Sequence, residues 1–354
     1  MTKLSKRLEN SSPEILSKVA KIDEIKGRWT EGVNLSPQLL GRLRKSVLIT
    51  SSGASTRIEG ARLSDEEVEK LIQGLQINKF HDRDRQEVKG YYDLLENVFN
   101  SWKTISFNES SIKHLHNELL KYVEKDVRHR GEYKKVENDV AMFNQEGQKV
   151  GVVFETTRAF LTPKQMQELL IWTQEALQEK KYHPLLVIGN FVVEFLKIHP
   201  FQDGNGRLSR ILTNLLLLKS GYVFVPYISH EKIIEDNKTE YYLALRKSQK
   251  TFESKNEDIS AWLEYFLGVL EKQSKMAIEL LSTEKMENIL SPKQLLVWSF
   301  LLDVKEVMAG EIVTKTGVLR PTVNQVLVRL IEMKKIEKIG MGRTTRYKVI
   351  VHTK

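Results

Sequence analysis

Residues 199 to 210 read His-Pro-Phe-Gln-Asp-Gly-Asn-Gly-Arg-Leu-Ser-Arg, which puts a base, a carboxylate, a glycine turn and two arginines within twelve positions. Gly204, Asn205 and Gly206 can adopt positive φ and bring backbone N–H groups close to a ligand, and a helix starting at about Arg207 would aim its positive dipole end at the same spot. That combination makes a phosphate site. Arg207 and Arg210 are three apart, share one face of the first helical turn and present guanidinium forks suited to phosphate oxygens. Asp203 sets a hard carboxylate beside those phosphates, where Mg²⁺ takes one or two protein oxygens and fills its shell from phosphate and water. His199 at the mouth of the turn can accept a proton near neutral pH. The set is equipped for attack of a hydroxyl on a phosphate.

The elements that must hold these groups are visible on either side. Residues 185–198 form an apolar run without proline or turn chemistry, and 208–219 are leucine-rich, so both read as buried helices with the twelve residues as the loop between them.

The loop resembles the signature of the Fic family, His-x-Phe-x-(Asp/Glu)-Gly-Asn-Gly-Arg-x-x-Arg, at all eight specified positions. The resemblance implies a mainly α fold, with a helical core, a β-hairpin flap over the site and transfer of AMP from ATP to a protein hydroxyl with release of pyrophosphate. On that resemblance His199 is the general base for a Ser, Thr or Tyr hydroxyl and Phe201 anchors the loop. Asp203 would hold Mg²⁺ between the α- and β-phosphates. The amides of Gly204, Asn205 and Gly206 would hold the phosphate chain together with Arg207, Leu208, Ser209 and Arg210, the last orienting the γ-phosphate. In-line attack at the α-phosphate needs positioning and charge neutralisation more than covalent chemistry.

Upstream, Ser55, Glu59 and Gly60 match the (Ser/Thr)-x-x-x-Glu-(Gly/Asn) pattern of the family's inhibitory helix, here on the N-terminal side of the catalytic loop. Ser55 and Glu59 are four apart on one helical face and Gly60 offers a left-handed stop, so the carboxylate would project and pair with Arg210, removing it from the γ-phosphate.

Composition bounds the remaining classes. The chain has 354 residues, 41% of them apolar and 29% charged, an ordinary soluble balance with room for two or three domains. It has no cysteine, which excludes disulfides, thiolate nucleophiles and cysteine-based zinc sites. The basic start lacks an apolar segment after it, and the apolar stretch at 211–228 is broken by Lys219, Ser220 and Gly221, so neither a signal peptide nor a membrane span is expected and the cytoplasm is the expected location. His114 and His116 have no further spaced ligands, and His230-Glu231 lacks a second helical histidine; all four read as surface or capping residues. No P-loop or kinase motif occurs.

The expected organisation is a helical N-terminal region at 1–95 carrying Glu59, a catalytic core at 96–275, a linker at 276–290 and a winged helix-turn-helix at 291–354. Strands at 136–143 and 149–155 with a turn at 144–147 form the expected flap, whose Val152, Val153 and Phe154 would align a target strand; Lys134 and Glu155 stand where the family often has Arg and a lead into prolines. The resemblance puts Tyr242 near adenine or ribose, with Tyr241 and Asn237 beside it and Leu245 and Trp262 on the same side. In the tail, helices at 292–302, 309–316 and 322–335 precede strands at 336–339 and 345–351. Twelve Lys/Arg against five Asp/Glu in 291–354 supply +7 of the chain's formal +9. Arg320, Asn324, Arg329, Arg343 and Arg346 would face DNA phosphates, unless the unit serves protein contacts, with Val323, Val326, Leu327 and Leu330 as its core stripe. The reading is therefore a self-inhibited adenylyltransferase acting on a target protein or itself, with DNA and a second copy of the chain as further partners it admits. A DNA-binding regulator that senses nucleotide through a Fic-like domain, and a hydrolase that removes AMP with the same site, are the alternatives.

Overall fold

The structure, a computed structural model of the chain, describes residues 2–9, 11–32, 37–74, 83–143, 149–252, 254–333, 335–340, 342 and 345–350, with backbone only at 139–143, 149–155 and 282–289. The chain divides into two compact units, residues 1–278 and 279–354.

The first unit opens with α1 (Lys3–Lys6), α2 (Pro13–Gly32), α3 (Pro37–Ile58), α4 (Asp65–Gly74), α5 (Arg83–Ser101) and α6 (Glu109–Leu119). An antiparallel hairpin follows, β1 (Asp139–Phe143) with β2 (Lys149–Glu155), and then α7 (Thr162–Glu179), α8 (Pro184–Ile198), α9 (Asn205–Lys219), α10 (His230–Asp236), α11 (Lys238–Gln249) and α12 (Ser260–Ile289). The mainly α expectation holds. α8 and α9 are buried along nearly their whole length and pack on each other, with α7 against α8 and with α3, α5 and α6 against α9. This burial is why both helices read as unbroken apolar runs. α3 also packs along α5 and α10, so the segment bearing Glu59 is part of the catalytic body.

Local chemistry accounts for several boundaries. Pro184 and the His183 cap open α8. At the start of α4, Ser64 Oγ accepts from the Glu67 N–H at 3.3 Å while Glu67 returns a carboxylate to the Ser64 N–H at 2.8 Å, a reciprocal capping box. α9 begins at Asn205, two residues before the expected start, because Gly204 takes φ 79° and turns the chain directly into the helix.

Two expectations need correction, and one gains detail. No boundary lies at residue 95, since α5 runs across it and belongs to the same compact unit. The division between the units falls inside the expected linker at 276–290, which is helical to Ile289, as its lack of glycine and proline permits. β1 starts at Asp139, so Val136 precedes the strand; the turn at 144–147 lies outside the described residues. β1 and β2 pair Asp139 with Glu155 and Val140 with Phe154, and a register shift then leaves Val153 unpaired between Phe154 and Val152.

The second unit contains α13 (Pro292–Leu302), β3 (Val307–Met308), α14 (Ala309–Thr316), α15 (Arg320–Glu332), β4 (Ile336–Ile339) and β5 (Arg346–Val349). The strands form one sheet in the order β3-β5-β4, and the two-residue β3 was not expected. α15 starts at Arg320 rather than 322, because Pro321 suits a first helical turn. Val323, Val326, Leu327 and Leu330 are buried together with Val297, Leu301 and Ile312. No helix among the described residues is long and apolar enough to cross a membrane.

Candidate active site

The loop between α8 and α9 is shaped by its own side chains. His199 ends α8 at φ 51°, donating its backbone N–H to Phe195 O at 2.9 Å; Pro200 then prevents the helix from continuing. Asn205 is fully buried and clamps Phe201 from both sides, accepting from its N–H at 2.9 Å and donating to its carbonyl at 2.7 Å. Phe201 itself is wholly buried and stacks on the His116 ring at 3.8 Å between centroids. His116 accepts from the Gly131 N–H through Nδ1, which leaves its Nε2 to donate to the Asp203 carbonyl at 2.9 Å. Burial holds its pKa down to about 4, so it braces the loop as a neutral imidazole. His116 is thus a core residue and not the surface or capping residue expected, although its neighbour His114 is exposed.

These braces leave the first backbone N–H groups of α9 at the floor of a pocket of about 300 Å³. Its walls include His199, Asp203, Gly204, Asn205, Gly206 and Arg207, with Tyr241, Tyr242 and Leu245 from α11 and Glu59 from the end of α3. His199 Nδ1 faces the Leu196 carbonyl at 3.3 Å; a proton held there puts the basic lone pair on Nε2. Burial pushes the imidazole down to about 4, against the pull of the Leu196 carbonyl and of the Glu59 and Asp203 carboxylates, so it is an unprotonated base at neutral pH. Asp203 remains ionised: burial opposes it, but Arg207, the Gly204 N–H and Arg83 outweigh that and hold its carboxyl below the usual range.

Glu59 closes the pocket. It follows the last residue of α3, and Gly60 at φ 107° turns the chain away. Its Oε1 lies 2.7 Å from Arg210 Nη2, while Arg210 Nε and Nη2 also reach Ser55 Oγ and Ser55 O at 2.8 and 2.9 Å. Arg210 is only 2% exposed, and its charge is favoured by Glu59 against the burial that opposes it. The carboxylate also sits where a Cβ on Gly206 would be, so this carboxylate and the glycine of the cradle are in direct contact. Ser55, Glu59, Gly206 and Arg210 are thereby brought together from chain segments some 150 residues apart.

Other expected residues fall elsewhere. Leu208 is buried in the core and Ser209 Oγ donates to Gly206 O at 2.7 Å; neither lines the pocket. Asn237 Nδ2 donates to Ile233 O, and Trp262 Nε1 to Gly189 O, so both serve the packing behind α11. The side chains of Val152, Val153 and Phe154 lie outside the described residues. His230 and Glu231 are 2% and 1% exposed, which corrects their expected surface placement.

Residues whose part in the site was not read from the sequence also shape it. Lys134, 4% exposed, donates from Nζ to Asn138 Oδ1, Thr156 Oγ1 and Ile198 O, tying the base of the hairpin to the end of α8. Asn138 in turn donates to Phe201 O at 2.9 Å and lines the pocket. Arg83 reaches Asp203 Oδ2 at 2.5 Å and Glu87 Oε1 at 2.7 Å, and Arg207 meets the same two carboxylates at 3.2 and 2.9 Å, closing a ring of alternating charges. No local motif marks these residues, because each acts across a long sequence separation.

In the second unit, Lys315, Arg320, Asn324, Lys338 and Thr345 line an open groove between α14, α15 and the sheet. Arg329 and Arg346 are exposed outside it, and Arg343 lies outside the described residues.

Comparison with known proteins points the same way. A model of the Fic/DOC family matches residues 106–217. A Fido domain-containing protein of Dictyostelium discoideum is 35% identical over 105 residues, covering 28% of this chain and 69% of the relative. A probable protein adenylyltransferase of Aquifex aeolicus is 32% identical over 84 residues, so the chain spans only 25% of that relative. Among solved structures, that of a Fic family protein from Desulfovibrio desulfuricans matches with a TM-score of 0.63 and 26% identity over 98% of this chain and 99% of the other.

Proposed function

Since the chain belongs to the Fic/DOC family, we propose that it transfers the adenylyl group of ATP to a Ser, Thr or Tyr hydroxyl of a target protein or of itself, and that Glu59 restrains this activity. The observation that carries the reading is the convergence in one pocket of an unprotonated His199, the N–H floor of α9, the Asp203 carboxylate and Arg207. The adenylyltransferase name of the Aquifex aeolicus relative supports the reaction class.

His199 Nε2 takes the proton of the attacking hydroxyl. The hydroxyl oxygen bonds to the α-phosphorus as the bond from that phosphorus to the bridging oxygen breaks, and pyrophosphate leaves with the electron pair. The amides at the start of α9 and the Arg207 guanidinium receive the charge, joined by Arg210 once Glu59 releases it; fixed donors of this kind lower the barrier. Tyr241, Tyr242 and Leu245 offer an aromatic and aliphatic wall for the adenine side. The donor set fits Mg²⁺: Asp203 supplies one hard carboxylate beside the phosphate floor, as an ion that keeps phosphate and water ligands requires. Bound there, the ion would neutralise phosphate charge. The β1–β2 hairpin would pair with the backbone of the target and present its hydroxyl.

Restraint follows from two contacts. Glu59 holds Arg210 away from a γ-phosphate, and its carboxylate over Gly206 repels the phosphate chain. We also propose that residues 291–354 form a winged helix that docks on DNA through the basic groove at Lys315, Arg320 and Lys338.

Intact-mass measurement after incubating the Glu59→Gly chain with ATP and Mg²⁺ tests the reaction. Gain of one adenylyl group with pyrophosphate in solution supports transfer. Phosphate or ADP without a protein adduct overturns it, and loss of AMP from a pre-modified target without any forward product favours the hydrolase.

A further inference from the structure

The contact between α3 and α9 has two rungs, and only one of them involves Glu59. Ser51, Ser55 and Glu59 recur every four residues and share one face of α3; Arg210 and Asn214 are likewise four apart on α9. Arg210 holds Ser55 and Glu59. Asn214 reaches α3 through an intermediary, the Glu231 side chain of α10. Asn214 Nδ2 donates to Glu231 Oε1 at 2.7 Å, and Ser51 Oγ donates to Glu231 Oε2 at 2.8 Å. Tyr91 of α5 adds its hydroxyl to Oε1 at 3.0 Å, and Ser229 adds its own to Oε2 at 3.1 Å.

Glu231 is 1% exposed, and the nearby His230 imidazole, whose pKa burial lowers, lies with Nδ1 3.5 Å from Oε2. A carboxylate in such a place is tolerated only because its lone pairs are filled, here by donors from α3, α5 and α9 and from Ser229. Donors from α3 and α9 thus meet on one carboxylate that does not line the pocket.

We propose that Glu231 is a positioning residue for restraint: it fixes the depth at which α3 lies on α9, so that Glu59 meets Arg210 and covers Gly206. The proposal rests on Glu59 being the inhibitory group. Loosening the second rung then releases the first, and the chain becomes active with Glu59 still present.

The test uses the full chain with α-labelled ATP and Mg²⁺, comparing wild type, Ser51→Ala, Ser51→Thr, Glu231→Gln and Glu59→Gly, and combining Ser51→Ala and Glu231→Gln each with Glu59→Gly. Ser51→Ala removes only the α3 hydroxyl and guards against misfolding of the Glu231 variant. Auto-labelling is expected to rise roughly fivefold or more in Ser51→Ala and Glu231→Gln, the lower range of ordinary coupling between sites, and to stay at the wild-type level in Ser51→Thr. Neither change is expected to add to Glu59→Gly, and amide hydrogen exchange at residues 51–60 should speed up in both single variants. Unchanged labelling and exchange in Ser51→Ala, alongside a gain in Glu59→Gly, overturns the role of Glu231 while leaving inhibition by Glu59 intact. A gain that persists on top of Glu59→Gly overturns it as well, since Glu231 would then act on catalysis itself. No gain in Glu59→Gly removes the inhibitory reading and this proposal together.

Discussion

On the proposed function, permission to react depends on Arg210, because the guanidinium that would meet the γ-phosphate is bonded at 2.7 to 2.9 Å to Ser55 and Glu59. His199 gives a second expectation at this scale. Its pKa is lowered from the ordinary histidine value to about 4 by burial, so the base is unprotonated across the neutral range and is lost only as pH falls toward that value. Auto-labelling by Glu59→Gly should therefore be nearly flat from pH 7 to about 5.5; a fall centred near the unperturbed value of about 6.5 would contradict the assignment. Arg83 provides a third. It shares Asp203 with Arg207 and is half exposed, so Arg83→Ala should tighten cation binding to the nucleotide-loaded chain by only about twofold to fivefold, the worth of an exposed ion pair. Manganese titration followed by electron paramagnetic resonance measures this, and weaker binding would show that Arg83 supports the site instead.

Among the elements, α8, the loop and α9 were legible because all the chemistry is contiguous: the glycine turn and the arginines lie within twelve residues, and the apolar runs adjoin them on either side. What was not legible acts from a distance. His116 is bound to the loop from α6, Lys134 and Asn138 from the approach to β1, and Arg83 from α5, and none of these carries a local pattern that sets it apart from an ordinary polar residue. The two-residue β3 is too short for any alternation, and the helical course of 276–289, which lacks glycine and proline, was not read within the expected linker. His116→Ala should leave Phe201 without its stacking partner and the Asp203 carbonyl without its donor. A loss of roughly 2 to 4 kcal/mol in unfolding free energy is expected from the cavity and the orphaned carbonyl, read by denaturant titration. Unchanged stability would mean that the loop is held by Asn205 alone.

At the scale of the molecule, formal charge is divided unevenly along the chain. Residues 291–354 contribute +7 of the formal +9, and the residues before them are close to neutral. Docking of the groove at Lys315, Arg320 and Lys338 on DNA predicts that the full chain binds duplex DNA at low salt and loses affinity steeply as salt rises. Fluorescence anisotropy should show Arg320→Ala and Lys338→Ala weakening binding evenly across sequences, with a shallower salt dependence. No binding at low salt would assign the unit to protein contacts.

The proposed function has one loop perform the transfer and one carboxylate withhold it. Incubation with α-labelled ATP and Mg²⁺, comparing wild type, Glu59→Gly and Glu59→Gly/His199→Ala, tests it most directly. The account predicts strong label on the protein in Glu59→Gly alone, with little in wild type and none in the double variant. Equal labelling of wild type and Glu59→Gly, or label that survives loss of His199, would contradict it.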